Sequence, residues 1–114
     1  MHEVGLAQSI IEIVQRSAGE NAARRVSCVS LSIGELANVE LSSLMQALTV
    51  GVRGTVLEGA RFEVAREQGS GWCMACAKTV PVHRIGQACP LCGAHQVAVT
   101  GGTEMRVSEI EIED

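Results

Sequence analysis

Four of the five cysteines are arranged as two pairs in the last third of the chain, and this arrangement is typical of a metal site. Two residues separate Cys73 from Cys76, two separate Cys89 from Cys92, and residues 77–88 lie between the pairs. Each pair can supply two ligands along one edge of a tetrahedron, so the four thiolates complete a closed site. A closed site has no open position for a water molecule. The spacing therefore predicts a structural metal centre rather than a catalytic one.

Zinc and iron both bind to four thiolates, and the residues around the cysteines favour zinc. The sequence CPLCG at residues 89–93 resembles the iron-binding segments of rubredoxins. Rubredoxins surround their iron with aromatic side chains, whereas Trp72 is the one aromatic residue near these cysteines. A rubredoxin-like electron carrier is thus the alternative to a zinc protein.

The fifth cysteine and two of the three histidines are expected to lie outside this site. Cys28 falls within a predicted strand, where a buried thiol acts as a small apolar residue. His83 lies between the two cysteine pairs, and His95 follows Cys92 by three residues. Because four thiolates already fill the tetrahedron, both histidines are expected to be exposed loop residues.

The second residue of the chain suggests a different metal site. The amine of Met1, the backbone nitrogen of His2 and the His2 imidazole can close two small chelate rings on one ion. Deprotonated backbone nitrogens favour the square-planar geometry that suits Ni(II) or Cu(II). The partial positive charge of a helix N-terminus opposes a cation there, and Glu3 and Glu40 can offset that charge. The alternative interpretation is an exposed terminal histidine without a role.

The hydrophobic pattern predicts the elements that position these residues. Residues 4–16 repeat apolar side chains at helical spacing, and a second helical stripe begins at Leu41 with Asn38 as its candidate cap. Residues 29–33, residues 60–67 and the tail from residue 103 alternate as strands do.

These elements predict an α+β fold with a small three-stranded sheet, two helices on one face and an inserted four-cysteine, zinc-ribbon-like module. The sequence is accordingly divided into an α+β domain (residues 1–69 and 98–114) and a zinc-binding module (residues 70–97). The α+β domain is the one that carries the candidate nickel site.

Charge and hydropathy argue against two classes of partner. The net charge is −4, and clustered Lys and Arg are needed to bind nucleic acid. No run of apolar residues is long enough to span a membrane, and the first 20 residues lack the pattern of a signal peptide. The expected location is the cytoplasm, where paired cysteines usually hold metal. A zinc-ribbon module that binds protein or nucleic acid remains an alternative function.

Three short motifs together resemble the HypA/HybF family of nickel metallochaperones, which act in [NiFe]-hydrogenase maturation. These motifs are MHE at residues 1–3, IGEL at residues 33–36 followed by VE at residues 39–40, and the two CxxC pairs, the second as CPLCG. They occur in the order of the family and extend over nearly the whole chain.

The resemblance implies two metals. Nickel would be bound by His2 with the Met1 amine and nearby backbone nitrogens, while Glu3 would be an auxiliary ligand and Glu40 a supporting residue. Zinc would be held by four cysteines: Cys73, Cys76, Cys89 and Cys92.

The implied function is the binding of Ni(2+) and its delivery to hydrogenase, and in some organisms to urease, without enzymatic catalysis. The implied partners are the nickel-handling GTPase of the same pathway and the hydrogenase large-subunit precursor. A homodimer is compatible with the sequence.

Overall fold

The computed structural model describes residues 2–113 and shows an α+β architecture, as predicted. Two helices are present within these residues, α1 (His2–Glu20) and α2 (Leu41–Gly51). The strands are β1 (Arg25–Gly34), β2 (Arg61–Glu67), β3 (Ser70–Cys73), β4 (Lys78–Pro81), β5 (Val97–Gly101) and β6 (Met105–Glu113).

The strands form two three-stranded sheets. One has the order β2-β1-β6 and contains the three predicted strands. The other has the order β4-β3-β5 and lies within the cysteine-containing segment, which the sequence analysis treated as a loop. No helix within residues 2–113 is both long enough and apolar enough to cross a membrane.

Helix α1 buries one face and begins earlier than predicted. Its buried side chains recur at intervals of three or four residues, which places them on one side of the helix: Glu3, Ala7, Ile10, Ile11, Val14 and Ala18. Ile13 also falls within the apolar pattern of residues 4–16, but it is 50% exposed because it lies about 110° around the helix from the centre of this buried face. The helix starts at His2 rather than at residue 4.

Helix α2 begins at a different cap from the predicted one. Glu40 is the N-cap residue, and its carboxylate accepts a hydrogen bond from the backbone N–H of Ser42. Asn38, the predicted cap, lies outside the helix with a φ of 54°. Leu44 and Leu48 are the buried residues of the helix, in agreement with the predicted stripe.

The chain packs as two compact units. The first comprises residues 2–31, 39–64 and 107–113, and the second comprises Ser32–Asn38 and Ala65–Arg106. The predicted zinc module of residues 70–97 lies within the second unit. The assignment of nickel binding to residues 1–69 and 98–114 remains a prediction.

Candidate metal centres

The four paired cysteines lie together in the second unit. Their sulfur atoms are all within 4.8 Å of one another, with 3.6 Å between Cys73 and Cys92 and 3.9 Å between Cys76 and Cys89. A tetrahedral zinc ion with Zn–S bonds of about 2.3 Å separates its sulfur ligands by about 3.8 Å. The cluster therefore has the spacing that structural zinc requires. Within residues 2–113 it is the one group of three or more His, Cys, Asp or Glu side chains close enough to hold a metal.

Two similar backbone turns carry the cysteine pairs. The N–H of Ala77 donates to the carbonyl of Cys73, and the N–H of Gly93 donates to the carbonyl of Cys89, each over 2.8 Å. Both donors have positive φ, 53° for Ala77 and 79° for Gly93. The alanine adopts the left-handed conformation at a steric cost that glycine avoids.

Backbone N–H groups also point at two of the sulfur atoms. Cys76 donates to the sulfur of Cys73 over 3.3 Å, and Leu91 donates to the sulfur of Cys89 over 3.4 Å. Hydrogen bonds of this kind stabilise the charge of a thiolate. The turns therefore hold the sulfur atoms in place and partly compensate their negative charge.

The pKa values of Cys76 and Cys89 move in opposite directions. Burial raises the pKa of Cys89, but N–H donors from Cys92 and Leu91 outweigh it and bring the pKa to about 7. A hydrogen bond with the Cys92 sulfur, together with burial, raises the pKa of Cys76 to about 12. Thiolates this close repel one another, so a divalent cation is what allows all four to ionise together.

The sheet of the second unit positions the first cysteine pair. Strand β3 pairs antiparallel with β4 and with β5, so Cys73 lies opposite Lys78 on one side and Val97 on the other. The buried cluster around the sulfur atoms contains Leu36, Val80, Val82, Cys73 and Cys89. The alternation of Val80 with Val82 and of Val97 with Val99 was the signal in the sequence from which β4 and β5 could have been predicted.

The remaining thiol and histidines lie outside the sulfur cluster. Cys28 is 2% exposed, which confirms its prediction as a buried residue, and burial raises its pKa. His95 is exposed, as expected. His83 is exposed too, but its Nδ1 lies 3.0 Å from the Glu35 carboxylate, a hydrogen-bond partner that the sequence analysis missed.

Glu35 connects His83 to a backbone group of the same unit. Its Oε1 accepts a hydrogen bond of 2.8 Å from the N–H of Gly69, and its Oε2 faces His83. The Gly69 N–H and then His83 hold the pKa of Glu35 below its usual value. Glu35 is therefore ionised at neutral pH.

The first turn of α1 displays His2 and buries Glu3. The His2 side chain is 56% exposed, and its Nδ1 lies 3.5 Å from Oε2 of Glu3. That same Oε2 accepts a hydrogen bond of 3.0 Å from the backbone N–H of Glu40, which precedes α2. The contacts bring His2, Glu3 and Glu40 together, and their role toward nickel remains a prediction. Met1, whose amine was predicted as a ligand, lies outside the described residues.

Both acidic residues at this end are ionised at neutral pH. The hydrogen bond from the Glu40 backbone is the largest effect on Glu3 and lowers its pKa to about 2. Hydrogen bonds from the Ser42 hydroxyl and backbone lower the pKa of Glu40. Each helix therefore has a carboxylate at its N-terminus, where the partial positive charge of the helix would otherwise repel a cation.

Comparisons with known proteins give a consistent result. The family model "Hydrogenase/urease nickel incorporation, metallochaperone, hypA" matches residues 1–112. The hydrogenase maturation factor HypA of Dechloromonas aromatica is 46% identical over 113 residues, which is 99% of this chain and 100% of that protein. HypA of Azoarcus sp. is 49% identical over 114 residues, the full length of both chains.

Solved structures show the same fold. The solution structure of the Ni metallochaperone HypA from Helicobacter pylori has a TM-score of 0.69, with 99% of this chain and 98% of that chain covered. Its sequence identity to this chain is 23%, so the likeness concerns the fold.

Proposed function

The chain belongs to the HypA family of metallochaperones for nickel incorporation into hydrogenase and urease, and we propose that it holds its nickel ion at the start of α1. A metallochaperone binds and delivers its metal and catalyses no reaction. The observation that carries this placement is the first turn of α1, where an exposed His2 adjoins a buried, ionised Glu3. The family match does not favour a zinc-ribbon interaction module or a rubredoxin-like electron carrier.

The proposed nickel ligands are the His2 imidazole, the His2 backbone nitrogen, neighbouring backbone nitrogens and the amine of Met1. The first four N–H groups of a helix have no intrahelical acceptor, so a nitrogen can lose its proton there without breaking a helical hydrogen bond. Glu3 contributes negative charge 3.5 Å from the imidazole. Glu40 supports the site because its backbone N–H holds the Glu3 carboxylate in place.

Zinc is assigned to the second unit and nickel to the first. Cys73, Cys76, Cys89 and Cys92 would hold the zinc, where their thiolates stabilise the small apolar cluster around them. The nickel ligands lie in one helical turn and its flanking residue. Such a site can release its ion without disturbing a buried core, which suits a protein that transfers metal.

The proposed partners follow from membership of a family that acts in hydrogenase maturation. The protein would work with the nickel-handling GTPase of that pathway and would pass nickel to the hydrogenase large-subunit precursor. It would act in the cytoplasm, where paired cysteines usually hold metal.

Two changes at the terminus test the nickel site. One glycine added before Met1 converts the amine of Met1 into an amide and moves the free amine away from His2. His2→Ala removes the imidazole. Titration of the untagged, zinc-loaded protein with nickel is expected to show loss of high-affinity binding in both variants, with unchanged zinc content by mass spectrometry.

His95→Ala is the matched control, because His95 is also exposed but lies in the other unit. It is expected to bind nickel as the native chain does. Native nickel affinity in the glycine-extended protein would show that the Met1 amine is not a ligand. Native affinity in His2→Ala would remove His2 from the site.

A further inference from the structure

Three hydrogen bonds hold the carboxylate of Glu40 at the start of α2. Its Oε1 accepts the Ser42 hydroxyl over 2.5 Å and the Ser43 hydroxyl over 3.3 Å, and its Oε2 accepts the Ser42 backbone N–H over 2.9 Å. Ser42 thus supplies two of the three donors. Ser, Thr, Asp and Asn are the usual caps, because their short side chains reach the N–H groups of the first turn. The longer Glu40 side chain must fold back, and the Ser42 hydroxyl holds it in that position.

The cap also fixes the backbone of Glu40. Its φ of −82° and ψ of 105° are extended, and its carbonyl accepts the first helical hydrogen bond, from the N–H of Leu44 over 3.1 Å. The carboxylate and the carbonyl of Glu40 are therefore both bonded to α2. Its N–H lies outside the hydrogen-bond pattern of the helix and donates instead to another segment, over 3.0 Å to Oε2 of Glu3.

These contacts form a continuous path from Ser42 to His2, the proposed nickel ligand. Ser42 holds the Glu40 side chain, and the Glu40 N–H holds the Glu3 carboxylate. The same Oε2 of Glu3 that accepts this N–H lies 3.5 Å from Nδ1 of His2. Glu3 is buried, whereas His2 is exposed. The buried carboxylate is therefore the fixed group beside which the exposed imidazole is placed.

We propose that Ser42 is a positioning residue of the nickel site. Its hydroxyl keeps Glu40 in the cap conformation, and the Glu40 N–H thereby keeps the Glu3 carboxylate beside His2. Loss of a residue that orients a metal ligand commonly lowers metal affinity by about 10–100-fold. Ser42 acts one contact further from the metal, so its effect is expected to lie below that range. This inference rests on the proposed nickel site.

The same contacts give Glu40 a backbone role rather than the role of a nickel ligand. Each oxygen of its carboxylate already accepts a hydrogen bond within the cap. Direct ligation of nickel would take the carboxylate away from these donors, and the N–H of Ser42 has no acceptor within the helix to replace it. The two roles predict opposite effects of the Ser42 hydroxyl. If the carboxylate were a ligand, removal of the hydroxyl would free it for nickel, and nickel affinity would rise.

Removal of one hydroxyl group tests the proposal. In nickel titrations of the untagged, zinc-loaded protein, Ser42→Ala is expected to weaken binding by about threefold to tenfold. Ser42→Thr keeps a hydroxyl donor at this position and is expected to retain an affinity within about twofold of the native value. Ser9→Ala is the matched control, because it makes the same change at an exposed position of α1. It is expected to bind nickel as the native chain does.

Two further measurements follow the path itself. A backbone N–H that donates to a carboxylate has its proton resonance at low field, so the Glu40 amide proton is expected to move upfield in Ser42→Ala and to stay in place in Ser42→Thr. Loss of helix stability alone would not move this resonance in the nickel-free protein. In a Glu40→Ala background the hydroxyl has no carboxylate to hold, and Ser42→Ala is expected to cause no further loss of nickel affinity.

Native or tighter nickel binding by Ser42→Ala would overturn the proposal, and so would an equal loss of affinity in the native and Glu40→Ala backgrounds. An unmoved Glu40 amide resonance in Ser42→Ala would also contradict it. His2→Ala separates this inference from the proposed function. If His2→Ala loses nickel while Ser42→Ala binds it normally, the nickel site stands and the positioning role fails. If His2→Ala retains native nickel affinity, the nickel site itself fails.

Discussion

At the scale of single residues, the pKa values of two carboxyl groups are lowered by backbone N–H groups that lie far away in the sequence. Glu3 accepts the N–H of Glu40, and Glu35 accepts the N–H of Gly69. In both cases that hydrogen bond is the largest influence on the carboxyl group and lowers its pKa. Each carboxylate thus keeps its charge at neutral pH and ties two segments of one unit together.

Glu35 is expected to make the free energy of unfolding depend on pH in the acidic range. Because its pKa is lower in the folded chain than the ordinary 4.5, its contribution is complete above about pH 4.5 and is lost as the pH falls through the folded value. Glu35→Gln removes this titration. Unfolding by urea at several pH values is expected to show a shallower loss of stability below about pH 4.5 in the variant than in the native chain.

Arg16→Gln is a control for this measurement, because Arg16 is exposed and lies in the other unit, away from Glu35 and its partners. Loss of zinc in acid affects the native chain and both variants alike. The measurement therefore compares how steeply the free energy of unfolding of each protein falls with pH. Equal acid dependence of the native chain and Glu35→Gln would mean that the Gly69 and His83 contacts do not stabilise the ionised carboxylate.

At the scale of elements, the turn that ends α1 contains a residue, Ala22, that is poorly suited to its conformation. The N–H of Ala23 donates to the carbonyl of Ala18, and the N–H of Ala22 donates to that of Gly19, which is the Schellman pattern. This pattern places Ala22 at a φ of 53°, where glycine is usual.

Ala22→Gly is therefore expected to stabilise the chain. The left-handed conformation costs alanine about 1–2 kcal/mol, and the greater freedom of glycine in the unfolded chain offsets about 0.4–1 kcal/mol of the gain. The net increase in the free energy of unfolding is expected to be about 0.5–1 kcal/mol, measured by urea denaturation. Ala23→Gly is the control, since Ala23 has no positive φ and the change is expected to destabilise. Destabilisation by Ala22→Gly would contradict this account of the helix end.

The first turn of α1 contains a glycine at a position where alanine would be more stable. Gly5 is helical and exposed, and a Cβ added there would meet nothing within 4 Å. Gly19 shares these properties at the far end of the same helix. Glycine costs a helix interior about 0.5–1 kcal/mol relative to alanine, and no packing contact at Gly5 compensates that cost. The first turn is consequently easier to unwind, which suits backbone nitrogens that must rearrange around an ion.

Gly5→Ala is expected to raise the free energy of unfolding by about 0.5–1 kcal/mol. It is also expected to change the rate of nickel dissociation, measured by stopped-flow mixing with a chelator, because the first turn becomes stiffer. Gly19→Ala provides the comparison, since it stabilises the same helix away from His2. If both variants release nickel at the native rate, flexibility at Gly5 plays no part in transfer.

At the scale of the whole molecule, the two units differ in what holds them together. The first unit has a core of aliphatic side chains that includes Val14, Val26, Leu44, Leu48 and Leu57. The second has the small cluster of Leu36, Val80 and Val82 around two of the thiols. An apolar cluster of that size contributes little stability by itself, so the second unit depends on its metal.

Zinc removal is expected to loosen the second unit first. Structural zinc contributes about 10–16 kcal/mol of apparent binding free energy in small peptides at neutral pH. Chelation, or Cys73→Ala, should therefore abolish hydrogen-exchange protection in residues 65–106 while α1 keeps much of its own. Cys28→Ala serves as the control and is expected to retain zinc, because Cys28 is outside the sulfur cluster. Equal loss of protection in both units would contradict this division.

The sequence by itself determined the features that depend on local spacing. Two CxxC pairs predicted the sulfur cluster, since the ligands of each pair are neighbours on one turn. The periods of the apolar residues predicted α1, α2 and the strands of the first sheet, because side-chain direction repeats with the geometry of each element. The motifs at residues 1–3 and 33–40, together with the cysteines, indicated the family.

Only the tertiary structure decided the features that join distant segments. It placed Glu3 beside Glu40, His83 beside Glu35, and β3 between β4 and β5. It made Glu40 rather than Asn38 the cap of α2, and it packed α1 against α2. Local patterns carry no information on which backbone group a buried carboxylate will meet or which helix faces will be neighbours, because packing between segments far apart in the chain determines both.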